Sequence, residues 1–329
     1  MQNKAAPGDC PATSCPQPME TRMPPTPSES QLTPTSTPTR ASFKTLAKTV
    51  ARWQPPLSAD ADDKTGARKK SVACSMKDFD PAATPFSSGD KDRDKAAVEA
   101  FATELDNLQN IFYADRRHKL LVILQGTDTS GKDGTLRGVF GRISPLGVHT
   151  VGWKAPTEDE RAHDYLWRIH QKVPAAGEVV IFNRSHYEDV LVPPVNGWIT
   201  PKQTAARYRH INEFERMLCE TGTAVLKFML HISFEEQRER LQERIDDPTK
   251  HWKFSAGDLE VRKQWKQYQR AYANLLNATS TPWAPWTVVP SNSKTHRNLM
   301  VATIVRATLQ QMDLKFPPAD PALAGIRVA

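Results

Sequence analysis

Four cysteines in 329 residues are too few and too scattered to organise this chain. Cys10, Cys15, Cys74 and Cys219 form no CxxC pair and no metal-ligand spacing. That argues against a thiolate metal centre or a disulfide framework and fits reduced thiols. Long apolar runs are missing as well: no stretch reaches the ~18 residues needed to span a bilayer. The N-terminus lacks the charged-then-apolar order of a secretory signal. Together these absences point to a cytoplasmic protein with no membrane partner. What is present is a surplus of base, a net charge of +7 and a pI of about 9.2. Such a balance favours anionic partners, whether nucleotides, polyphosphate, nucleic acid or acidic lipids, without choosing among them. A hydrophobic fraction of 39% suffices for one sizeable core.

Residues 1–40 are rich in Pro, Thr and Ser and poor in large apolar side chains, a composition that cannot offset its ordering entropy and predicts disorder. Residues 41–52 read as one weakly amphipathic helical stretch, ended by Pro55 and Pro56, before a polar, basic segment running to residue 70. From about residue 96 helices alternate with apolar strands. Helical spacing covers 97–113, 135–142, 158–172, 202–220, 234–245, 258–276 and 297–312. Thr200 before Pro201 is a cap-and-start signal. Short apolar runs at 120–124, 148–153, 179–182, 224–232 and 286–290 read as strands, several of them buried without alternation. This order implies an α/β fold with a parallel sheet covered on both faces.

The strongest local signal is GTDTSGK at 126–132, a GxxxxGK pattern between a strand and a helix. Gly126 and Gly131 let backbone N–H groups turn inward on a phosphate, the helix start adds partial positive charge, and Lys132 supplies a mobile cation. The Ser or Thr that usually follows the lysine as a Mg²⁺ ligand is Asp133 here. Asp128, an extra carboxylate inside the loop, is the expected metal ligand in its place. A second candidate cluster follows the strand at 179–182, where ligands of such sheets bind. There Asn183 stands where a metal-holding acid is expected. Arg184 is suited to charge spread over a transferring phosphoryl group. Glu188 falls one helical turn beyond it, so the two read equally as a surface ion pair. His186 reads as a structural histidine, because transfer between phosphates needs no base.

Residues 234–270 are dense in charge. Arg240 and Arg244 border the apolar face of one helix, and DPTKHWK (247–253) breaks it at proline. This suits a lid that closes over phosphates and excludes water, although Glu235, Glu236, Glu239 and Glu243 also fit a solvated helix laced with ion pairs. Nucleic acid is disfavoured as ligand, since repeated exposed aromatics for base stacking are lacking.

Together QGTDTSGKDGT (125–135), KAPTEDE (154–160), FNRSHYEDVLV (182–192) and DPTKHWK, with KDFDP (77–81) and TPWAPW (281–286), resemble the polyphosphate kinase 2 family over roughly residues 71–314. The resemblance implies a P-loop kinase-like parallel sheet flanked by helices, with a helical lid at about 234–270. It implies transfer of the terminal phosphate of polyphosphate to nucleotides with Mg²⁺, Mn²⁺ being the alternative ion. On this reading Asp128, Lys132 and Arg184 are catalytic and Asp128 holds the metal. Gly126, Gly131, Lys132, Arg244, Lys250 and Lys253 bind the phosphate chain, while Arg184 and Glu188 meet the nucleotide. Asn183 with His186 and Glu188 looks like the branch that accepts both nucleoside mono- and diphosphates. A homo-oligomer, dimer or tetramer, is expected. The expected organisation is a disordered tail at 1–72, a catalytic domain at 73–314 and a C-terminal tail at 315–329. An ATP-dependent nucleoside monophosphate kinase and a non-catalytic polyanion-binding P-loop protein are the rival readings.

Overall fold

Five parallel strands are stacked in the order β2-β3-β1-β4-β5, with β1 at Lys119–Gln125, β2 at Val148–Gly152, β3 at Val179–Asn183, β4 at Thr223–His231 and β5 at Trp286–Pro290. The computed structural model describes residues 40–58 and 73–328. β1 lies at the centre, paired in parallel with β3 (Leu120 beside Val179) and with β4 (Leu120 beside Ala224). Chain order reverses on either side of β1, which puts a ligand-binding switch point at its carboxyl end.

Successive side chains of β1 leave opposite faces of the sheet and feed two cores. Leu121 and Ile123 pack with helix α7 (Pro201–Glu220) and helix α10 (Trp265–Thr279) through Ile211, Phe214, Leu275 and Leu276. Leu120, Val122 and Leu124 pack with helix α2 (Lys91–Asp115) and helix α11 (Lys294–Gln311) through Leu105, Phe112, Met300 and Val305. Each such fully buried aliphatic side chain stabilises the fold by roughly 1.5–3 kcal/mol. Helix starts are fixed locally. Thr200 and Gln203 form a capping box before α7, and the Asp90 carboxylate accepts from the N–H groups of Asp92 and Arg93 at the start of α2.

Several expected elements differ. Of the tail expected at 1–72 the described residues include only 40–58; there helix α1 (Arg40–Ala51), close to the helical stretch expected at 41–52, leads to Trp53, whose carbonyl accepts from Val288 N–H at 2.8 Å. The Trp53 ring lies 6.2 Å from Phe79, so this segment completes the edge of the sheet. The rest of that expectation lies outside the described residues. The helix expected at 135–142 begins earlier, as α3 (Lys132–Thr135), and widens into a π turn over Leu136–Phe140, where Gly138 abuts the Asn298 side chain. The helix expected at 158–172 is two pieces, α4 (Glu158–Ala162) and α5 (Trp167–His170). Asp164 breaks it by accepting from the backbone N–H groups of Leu166 and Trp167, a turn that competes with helix. The helix expected at 258–276 bends at Gln264, between α9 (Ala256–Lys263) and α10. A short helix α6 (Val192–Val195) precedes α7, and α8 (Phe234–Asp246) follows β4. At the opposite rim the chain leaves α11. Asp313 O accepts from Arg117, Lys315 N–H donates to Asp115 beside the start of β1, and 315–328 is exposed.

Candidate active site

The glycine loop leaves β1 at Gln125 and enters α3 at Lys132. Two of its glycines are obligatory on steric grounds. Gly126 has φ 149°, and a Cβ there would collide with Leu230 O of the neighbouring strand. Gly131 has φ 103°, and a Cβ there would overlap the Arg297 guanidinium. Even Thr129 is held at φ 64°, inside the left-handed region. The loop therefore closes around its own lysine. Lys132 Nζ donates to Gly126 O at 2.7 Å and Thr127 O at 3.1 Å, with the residue only 9% exposed. Burial, then the charge of Arg184, pushes its pKa down to about 8, against the pull of Asp128, Glu188 and Asp133. Arg184, Asp128, Glu188 and Asp133 are thus all within electrostatic reach of Lys132.

Arg184 reaches the loop from the end of β3. Its backbone turns at φ 66°, its N–H donates to Leu124 O at 3.0 Å, and its guanidinium donates to Asp128 Oδ1 at 2.8 Å. Glu188, on the 3-10 turn His186–Val190, lies 3.8 Å from the same guanidinium and accepts from Gln125 Nε2. His186 is fully buried and faces Glu215 at 3.2 Å, in the core rather than the cleft. The cleft over the loop is walled by Val192, Val261, Trp265, Tyr268 and Tyr272. Among the described residues no three His, Cys, Asp or Glu side chains converge on a metal position.

The three expected lid cations part company. Lys253, at the end of the 3-10 turn Pro248–Lys253, sits 3.5 Å from Asp133 and so faces the loop. Asp133 also accepts from Asn183 Nδ2 at 2.8 Å. Burial opposes its ionisation, but Asn183 and Lys253 outweigh it and hold the carboxyl below its usual range. Arg244 is half-buried and ties the turn to α9, donating to Lys253 O at 3.0 Å and Asp258 Oδ2 at 3.2 Å. Lys250 pairs with Asp247 of its own turn at 3.0 Å and is not brought to the loop.

Two arginines lie behind the loop: Arg240, expected only as a cation of the lid helix, and Arg297, which the sequence reading did not single out. Arg240 is buried and donates to Thr129 O, Ser291 O and Asn292 O, clamping the loop to the end of β5. Arg297, 3% exposed, lies against Gly131 and Gly134. Its position in the first turn of α11, just past a strand end, was the available signal.

A parallel sheet with a glycine loop after its central strand, a buried loop lysine and a helical cover define a P-loop kinase-type α/β protein. The polyphosphate kinase 2 family model matches residues 88–317, and the chain belongs to that family. The AMP/ADP-polyphosphate phosphotransferase of Meiothermus ruber is 50% identical over 250 residues, covering 75% of this chain and 92% of the relative. The ADP-polyphosphate phosphotransferase of Rhodopseudomonas palustris is 39% identical over 230 residues, covering 66% and 80%. The crystal structure of polyphosphate kinase 2 from Arthrobacter aurescens TC1 superposes with a TM-score of 0.73 at 43% identity, over 76% of this chain and 90% of that one.

Proposed function

We propose that the protein transfers the terminal phosphoryl group of inorganic polyphosphate to nucleoside mono- and diphosphates, AMP and ADP foremost, in a reversible reaction. The observation that carries this reading is the convergence of Lys132, Arg184 and Lys253, from three separate elements, on one glycine loop. A relative named for both AMP and ADP supports the pair of acceptors.

The acceptor's terminal phosphate oxygen is already ionised, so no general base is needed. That oxygen attacks the terminal phosphorus of the chain in line. A new P–O bond forms, the old bridging P–O bond breaks, and its electron pair leaves on the chain shortened by one unit. Lys132 and Arg184 neutralise the charge gathering on the equatorial oxygens. The loop N–H groups hold the transferred group, and Lys253 with the lid turn excludes water that would otherwise accept it. Asp128 fits Mg²⁺ or Mn²⁺: its Oδ2 makes no hydrogen bond among the described residues, and such ions take one or two carboxylates alongside substrate phosphates. When bound, the cation would supply charge neutralisation for the reacting phosphates. Glu188 and Arg184 together read the acceptor. The same family reading supports a cytoplasmic homo-oligomer acting on polyphosphate and nucleotides rather than on nucleic acid or membranes. Sedimentation of the purified chain tests its assembly.

The test is ATP formation from polyphosphate with AMP or ADP and Mg²⁺, beside ATP as the rival donor. Lys132→Ala and Asp128→Ala are each expected to reduce kcat by at least ~10²–10³ with the fold intact by circular dichroism. Near-normal turnover in a folded Lys132→Ala protein rejects the site. Turnover with ATP and AMP but none with polyphosphate rejects the donor.

A further inference from the structure

The Arg297 guanidinium is buried with no carboxylate to meet it. Among the described residues its hydrogen bonds run from Nε and Nη2 to a single oxygen, Asn298 Oδ1, at 3.2 and 3.0 Å. A guanidinium carries five N–H donors, so most of its capacity is unused. Nη1 makes no hydrogen bond among the described residues and lies where a Cβ of Gly131 would be, against the glycine loop. No ion pair reaches it among the described residues.

Its surroundings are adverse to a cation. Arg297 occupies the first turn of the 18-residue α11, whose dipole presents positive charge there, and that turn holds no acidic residue. Arg240 is close enough for its charge to act on Arg297 as well. The two arginines are served differently: Arg240 has the Glu236 carboxylate at 2.7 Å and three backbone carbonyls, whereas one amide oxygen serves Arg297. An uncompensated buried charge is expensive for a fold. An anion held on the other side of the loop would relieve it.

We propose that Arg297 is a positioning residue of the phosphate site, a cation beneath the glycine loop that strengthens its hold on phosphoryl groups. The proposal rests on the loop being a phosphate site. Arg297 touches no substrate; it acts through the loop, by charge and by fixing the Gly131 turn. Phosphate binding supplies the missing counter-charge, so the anion and the buried arginine stabilise each other.

The experiment titrates sodium tripolyphosphate into the full chain by calorimetry and follows the thermal midpoint with and without it, for wild type, Arg297→Lys and Arg297→Met. Wild type is expected to bind. Arg297→Met is expected to bind roughly tenfold or more weakly and to lose most of the ligand-induced rise in midpoint, while Arg297→Lys stays within about threefold of wild type. A purely structural arginine would lower the ligand-free midpoint of both variants and leave the ligand-induced rise unchanged. That result, in a wild type that binds, overturns this proposal alone. If Arg297→Met does not fold, a folded Arg297→Lys that binds tenfold more weakly overturns it, because the charge was kept. Failure of wild type itself to bind tripolyphosphate removes the phosphate site and this inference with it.

Discussion

At the scale of single residues, the free site stores electrostatic cost. Lys132 keeps a charge in a place that disfavours it, with a pKa of about 8 against roughly 10.4 when unfolded. Between those values the unfolded chain binds the proton and the folded chain does not, so stability rises as pH climbs from about 8 toward 10.5. Below pH 8 the cost is fully present, on the order of 3 kcal/mol for such a shift. A phosphate chain reverses the balance by favouring the ammonium. Binding of tripolyphosphate at pH 8.5–9, without added Mg²⁺, is therefore expected to take up close to one proton. Calorimetry in two buffers of different ionisation enthalpy measures this, and an uptake that persists in Lys132→Met would assign it to another group.

At the scale of elements, the segment proposed as a lid is held by short bonds along α8 and by a longer one at its tip. Arg240, midway along α8, fixes that helix to the loop and to the end of β5, while the turn Pro248–Lys253 reaches over through the longer contact of Lys253 with Asp133. Lys253→Ala is expected to raise KM for long polyphosphate about tenfold, with kcat for saturating donor changed less than threefold, since the lost contact serves binding. Steady-state kinetics at several chain lengths checks it. An equal fall in kcat would place Lys253 in the chemistry instead. These relations also show what the sequence could reveal. The glycine loop was legible because strand, turn and helix are contiguous and both glycines sit at positive φ, although the Leu230 and Arg297 atoms that crowd them come from far along the chain. The contact of Lys253 with Asp133 was not, because it joins residues 120 positions apart and charge patterning alone gives no partner. Arg240 read as a lid cation for the same reason: its spacing placed it at the edge of a helix face, and only packing showed the carbonyls that consume it. The helix breaks at Asp164 and Gln264 were missed because helical periodicity continues through them, while one side-chain-to-backbone turn decides the first.

At the scale of the whole molecule, a second polar centre lies under the sheet. Lys227 of β4 donates to Glu215 Oε2 at 2.6 Å, Thr279 O at 2.7 Å and the Tyr187 hydroxyl at 2.9 Å, all fully buried. Burial pushes the Glu215 carboxyl up, but Lys227 and His186 outweigh it and hold it below its usual range. The network joins β4, α7, α10 and the turn that carries Glu188. Glu215→Leu is expected to cost ~3–5 kcal/mol by stranding the lysine charge, and adding Lys227→Met to regain part of that loss. Urea unfolding of the single and double variants measures both. A single-variant cost under ~1 kcal/mol would mean the lysine finds water or sheds its proton.

The parallel sheet also gives the molecule a front and a back. Every strand runs toward the cleft, and the C-terminal segment departs beside Asp115, where β1 begins. A support or fusion partner joined to that end would hang from the back, with the cleft turned outward to solution. Immobilised material should therefore keep its access to long, bulky donors, whereas coupling through Lys253, which faces the loop, would crowd it.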